Sequence, residues 1–216
     1  LSLIKKVLEG NTQDARKWSE RVEKSLVRPT HKKFDTLSLK EGEFIKRKKV
    51  QEEELNLPLF PTTTIGSFPQ DKELRKVRLE FRKNERSLEN YDHFIREKIS
   101  RLIELEESIG LDVLVHGEFE RSDMVEFFAE KLDGFLTTDK GWVISYGTRV
   151  YRPPIIYRTV ARTSPLTLKE TYHAQSMSPK PLKGIFTGPI TILAWSYNLR
   201  NVPLSTIAFE LAKALN

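Results

Sequence analysis

Three short strand-like segments, each stopped by a glycine beside polar residues, set the tightest limit on how this chain can fold. They are Thr62–Ser67 (TTTIGS), Leu111–Gly117 (LDVLVHG) and Leu182–Thr187 (LKGIFT), the last closed by Gly188-Pro189. In the first, three threonines and an isoleucine favour extended backbone, while Pro61 and Pro69 bracket the run and Gly66-Ser67 cut it short. The compact apolar texture of the other two predicts buried parallel strands. Helical patterns lie between them. Ile95, Ile99, Leu102, Ile103 and Ile109 recur at helical spacing before Gly110, a common stop residue. Asp123 with Glu126 has capping-box spacing for a helix through Leu132, and Thr167 with Glu170 repeats it before a short helix ending near Met177. Leu204, Ile207, Ala208, Leu211 and Leu215 mark a last helix. Within Gly134–Val160, the pieces Trp142–Tyr146 and Ile155–Val160 predict an inserted hairpin.

Alternating strands and helices predict a parallel α/β protein. Such folds bind ligands at the carboxyl ends of their strands. A glycine at Gly66 lets a ligand approach the backbone, and Ser67 offers it a donor.

The first 58 residues are different in texture. Trp18, Val22 and Leu26 predict a helix ending near Pro29, and Leu39–Leu55 predicts a second exposed helix or linker. The net charge of +6 raises nucleic acid as a partner. However, Lys32, Lys33, Lys46, Arg47, Lys48 and Lys49 run directly into Glu52, Glu53 and Glu54. Adjacent basic and acidic blocks with few interleaved aromatics describe a solvated helix face, so no nucleic-acid partner is expected. No run approaches the roughly 18–20 apolar residues of a membrane span. Zero cysteines exclude disulfides and thiolate metal sites from this chain and suit a reducing, cytoplasmic compartment. The opening LSLIKKVLEGNTQDARKW has neither a start methionine nor a signal-peptide layout, and is expected to be a cut inside a longer chain.

Candidate chemistry is sparse. His116 and Glu118, two apart, share a face if the strand continues. They read either as a hydrogen-bonded histidine with a Glu118–Arg121 pair, or as a site that binds an ammonium group or moves a proton. His31, His93 and His173 offer no ligand spacing. Trp195, in an expected loop, is a core plug or a flat platform for a heteroaromatic ligand. Arg149 lies near the hairpin tip, and Phe127-Phe128 reads as helix core. Neither a phosphate loop nor a nucleophile elbow is visible.

The segments FPTTTIGSFPQ, LDVLVHGEFERSDMVEFFAEKLDGF, GWVISYGTRVYRPP and GIFTGPITILAWS, in that order, resemble the cobalamin-independent methionine synthase family, the 5-methyltetrahydropteroyltriglutamate–homocysteine methyltransferases. The resemblance runs from Leu57 to Asn216. It implies an α/β fold that is part of a (β/α)8 TIM barrel, its first three or so βα units occupying residues 58–216. Residues 1–57 would be the helical end of an N-terminal domain and a linker. It implies methyl transfer from a folate to homocysteine, with zinc activating a thiol whose free pKa is about 8.5, and no cobalamin. Carried over by motif, Ile65, Gly66, Ser67 and Glu118 would bind homocysteine, while Arg149, Val150 and Trp195 would meet the folate. Val150 stands where the family commonly has a cysteine, which leaves a backbone contact there. The zinc ligands and proton-donating histidine would lie on later strands, outside this chain. The segment alone is therefore expected to be inactive, to need the remainder of its polypeptide, or to self-associate through exposed strands. A basic binding module and a barrel methyltransferase acting on another thiol are the other readings.

Overall fold

A computed structural model describes residues 44–216, with Gln13 and Lys17. The helix expected around Trp18, and with it His31, Lys32 and Lys33, lies outside the described residues. Helix α1, Phe44–Leu55, buries no side chain. Its blocks pair internally, Lys48 with Glu52 at 3.6 Å and Lys49 with Glu53 at 3.9 Å, as a solvated face should.

The three strand-like segments lie side by side in parallel, with Leu111–Gly117 in the middle. Thr63 bridges Val113, Ser67 bridges Gly117, and Leu114 bridges Leu182. Each contact is an isolated bridge rather than part of a continuous ladder, so the three expected strands are shorter than the sequence suggests. Side chains tie the gaps. The Asp112 carboxylate accepts from the Thr62 backbone N–H and hydroxyl, both at 2.7 Å. Glu106, fully buried, accepts the Val115 N–H at 2.8 Å and the Thr64 hydroxyl at 3.2 Å. Lys183 donates to the Thr64 carbonyl at 2.5 Å. A carboxylate thus takes one place in a ladder that backbone groups leave open.

Two helices cover this layer. Helix α2, Lys72–Arg82, is capped by Asp71, whose side chain accepts from Leu74 N–H, and buries Leu74, Val77 and Arg78. Helix α3, Leu88–Ser108, is capped by Ser87 and buries Tyr91, Ile95, Ile99, Leu102, Ile103 and Glu106. Gly110, at φ 80°, ends it. The buried apolar residues of the two helices form one core cluster with Leu114, Val115, Phe119 and Ala174.

The second cluster is antiparallel in character. Helix α4, Glu126–Lys131, runs directly into β1, Leu132–Leu136. Strand β1 pairs antiparallel with β4, Ile155–Arg162. The hairpin expected between Trp142–Tyr146 and Ile155–Val160 is therefore corrected. Strand β2, Val143–Tyr146, turns at Gly147 (φ 56°) and pairs with β3, Arg149–Tyr151. A left-handed glycine makes a tight turn, whereas Pro153-Pro154 merely carries the chain to β4. Helix α5, Leu168–Ser176, follows Thr167, whose side chain makes no capping bond. Helix α6, Pro189–Ala194, leads to β5, Tyr197–Asn198, which pairs parallel with β4. Helix α7, Leu204–Leu215, buries Ile207, Leu211 and Ala214 against Phe128, Ile156, Val160 and Ile192. Its buried Glu210 accepts the Val160 N–H at 2.9 Å and pairs with Arg200 at 2.5 Å, repeating the device of Glu106. Among the described residues no helix is long and apolar enough to cross a membrane.

Candidate functional site at the ends of the parallel segments

The Ser67–Gly117 bridge sets the first two segment ends next to each other, and Phe68 N–H donates to the Gly117 carbonyl at 3.1 Å. Gly66 is at φ 132°. A Cβ there would lie 2.1 Å from Ile185 Cδ1 and 3.2 Å from a Glu118 carboxylate oxygen. Ile65 and Ser67 are exposed beside it. Gly66, itself buried against Ile185, therefore brings its backbone next to the Glu118 carboxylate, with the exposed Ser67 as its neighbour in the chain.

The Glu118 carboxylate is aimed by unusual backbone. Gly117 is at φ 83° and Glu118 at φ 58°, both left-handed, a conformation that a glutamate holds only when its surroundings compel it. Extended alternation stops there, which corrects the expectation that His116 and Glu118 share a face. His116 is buried and its Nε2 meets Glu120 at 3.1 Å. Glu118 instead takes a two-pronged ion pair from Arg121, whose Nε lies 2.8 Å from Oε2 while an Nη reaches Oε1. His116 thus reads as a structural histidine.

The second group sits on the hairpin. Arg149, at the start of β3, pairs with Asp123 at 3.2 Å and lies 5.5 Å from the Trp195 ring centre. Tyr151 stands 5.1 Å from that ring, tilted at 53°. Trp195 is the cap residue at the end of α6, not a residue of an open loop, and remains partly exposed. Val150 is half exposed. Asp123 also receives Val125 N–H and Glu126 N–H, at 2.8 and 3.1 Å. The expected capping box does not form: α4 has Val125 as its cap residue with no side-chain cap bond, and the Glu126 carboxylate pairs with Arg82 and Arg152 instead.

The segment Glu118–Asp123 carries an anchor of each group. A cavity of about 460 Å³ opens elsewhere, lined by Arg78, Tyr91, Glu120, Lys131 and Glu170, and none of the seven sequence-derived candidates reaches it.

Residues 60–216 match the family model described as "Cobalamin-independent synthase, Catalytic domain". The chain belongs to that family. It is 54% identical over 219 residues to a 5-methyltetrahydropteroyltriglutamate–homocysteine methyltransferase of Thermotoga maritima, which covers the whole of this chain and 30% of that relative. A namesake from Halalkalibacterium halodurans is 55% identical over 172 residues, 80% of this chain and 23% of its own length. The chain thus spans under a third of the curated relatives it matches. Among solved structures it is similar to a B12-independent methionine synthase from Shewanella in complex with selenomethionine. The TM-score is 0.56 and the identity 20%, over 73% of this chain and 46% of that one. At that identity the likeness speaks for a shared mixed α/β fold.

Zinc, implied by the family resemblance, finds no holder here. Among the described residues no group of three or more His, Cys, Asp or Glu side chains could take a metal ion, and the residues present do not fit one. Sequence reasoning passed over Arg78, Asp123 as a partner of Arg149, and Tyr151. An arginine inside a charged helix reads as surface. The one available signal for Tyr151 was its place two residues beyond Arg149, on the same strand face.

Proposed function

We propose that the full-length protein carrying this chain transfers a methyl group from 5-methyltetrahydropteroyltriglutamate to homocysteine, giving methionine. Residues 58–216 would supply the first three or so βα units of a (β/α)8 barrel, completed by the rest of the polypeptide. The observation that supports this reading is the Ser67–Gly117 bridge, which joins the two segment ends and leaves Gly66 beside the Glu118 carboxylate.

In this reading the role of the chain is binding and orientation. Glu118 takes the ammonium group of homocysteine, a charge-assisted contact in a partly buried place. Ile65, Gly66 and Ser67 present backbone and hydroxyl groups to the rest of the amino-acid moiety. Trp195 offers a face to the pteridine ring, with Arg149 and the Val150 backbone at its edge. Fixing both reactants supplies the proximity that a bimolecular transfer needs. A cytoplasmic setting suits a substrate that must remain a free thiol. The internal pairing of Lys48 and Lys49 in α1 weighs against a polyanion-binding module.

The test is Glu118→Gln in the full-length protein. Loss of the charged contact should raise the KM for homocysteine about ten- to a hundredfold while leaving that for the folate unchanged. A variant with unaltered homocysteine kinetics overturns the assignment.

A further inference from the structure

Glu118 owes its position to two buried arginines. Arg121, 4% exposed, grips both carboxylate oxygens of Glu118 from three residues away. The backbone carbonyl of Arg121 is itself held at two points, by Gln70 Nε2 at 2.6 Å and Arg78 Nη2 at 3.2 Å. Arg78, 8% exposed on α2, also donates to the Phe119 carbonyl at 2.7 Å and to Gln70 Oε1 at 2.6 Å. Gln70 closes the segment that contains Gly66 and Ser67. A single network of guanidinium and amide donors therefore joins the end of the first parallel segment to the turn after the second.

The network has a direct consequence for the ligand. A carboxylate has about four lone-pair positions, and the Arg121 fork takes two of them in its plane. The remaining positions are left for a ligand donor, whose direction of approach is then dictated by Arg121. A planar two-pronged pair fixes orientation in a way that a point charge does not. Left-handed backbone at Glu118 is strained without such support.

Resting on the reading of Glu118 as the ammonium acceptor, we infer that Arg121 is the positioning residue of the amino-acid subsite. Its fork orients the Glu118 carboxylate toward an α-ammonium group, and Arg78 with Gln70 locks the turn that carries both.

The experiment uses the full-length protein, with L-methionine binding read by calorimetry and homocysteine kinetics read alongside. Arg121→Gln should weaken methionine binding about ten- to a hundredfold, with kcat at saturation within about threefold and an unchanged folate KM. The double variant Glu118→Gln/Arg121→Gln should bind no more weakly than Glu118→Gln alone, because the two residues act as one unit. Arg121→Lys, which keeps the charge but loses the fork, should fall between wild type and Arg121→Gln, and carries the test if Arg121→Gln does not fold. Wild-type affinity in either arginine variant, with Glu118→Gln impaired, overturns the positioning role alone. Additive losses in the double variant overturn it as well. Wild-type affinity in Glu118→Gln removes the amino-acid reading itself and the positioning role with it.

Discussion

The turn at Glu118 and the hairpin at Arg149 solve the same problem in opposite ways. Glu118 is gripped by the two-pronged Arg121, and its turn, left-handed at two consecutive residues, is held from outside by Arg78 of α2 and by Gln70 through the Phe119 and Arg121 carbonyls. Arg149 has a half-exposed side chain, one carboxylate partner, and the face of a partly exposed tryptophan. The first arrangement is complete before any ligand arrives. The second lies on a hairpin where Ile144, Tyr146 and Val150 are exposed, with far fewer contacts to fix it. In the proposed reaction a small amino acid meets the rigid half and a large, flexible folate meets the sparsely held half.

Gly66→Ala should break the rigid half most severely. A Cβ would strike Ile185 and crowd Glu118 at a φ that side chains rarely adopt, so urea denaturation should show a loss of about 2–4 kcal/mol. Amino-acid binding should vanish with it. An unchanged midpoint and affinity would remove the close approach from the account. Next in size, Trp195→Ala should raise the folate KM about tenfold or more, since ring stacking there has no substitute, and leave methionine affinity alone. Equal loss of both ligands would show that the two halves are not separable. A smaller effect is expected at Asp123→Asn. Losing the Arg149 pair should change global stability by less than about 1 kcal/mol, yet speed amide exchange across Val143–Tyr151. Protection as in wild type would mean that the hairpin is held by something else.

The smallest effect concerns pH and lies outside both halves. Burial pushes the Glu106 carboxyl above its usual range, against the opposing pull of Val115 N–H, the Thr64 hydroxyl and Lys183. A raised acid favours the protonated form in the folded state. Its stabilising effect is present below the ordinary glutamate pKa and fades as pH rises through the elevated value. Stability should therefore gain slightly as the solution is acidified from neutral toward that range, and Glu106→Gln should flatten that portion of the melting-temperature profile. A wild-type slope in the variant would assign the effect to another group.

Much of this was visible in the chain itself. The parallel segments showed as strand-like runs with small-residue stops, and α3 and α7 as regular apolar stripes. Ser67 and Glu118 could be singled out because strand ends are where ligands sit. Three things were not visible, for physical reasons. Helix α2 hides because its buried face includes Arg78, a residue whose type predicts exposure. The hairpin was mis-paired because Pro153-Pro154 resembles a turn more strongly than Gly147 alone. The divergence of His116 from Glu118 depends on a left-handed glutamate, which local propensity disfavours and only the Arg121 and Arg78 contacts make affordable.

That left-handed pair, Gly117 followed by Glu118, has a consequence for anyone who would redirect the protein. A Cβ on Gly117 would meet Leu102 and Phe119 at 2.5 Å, so the crank cannot be re-angled by substitution without disturbing the core beneath it. New methyl-donor chemistry is better sought by grafting changes onto the Gly147 hairpin, which the proposed reading gives to the folate. In the proposed reading, the grip on the smaller reactant is cast when the chain folds, and the grip on the larger one rests on an exposed hairpin.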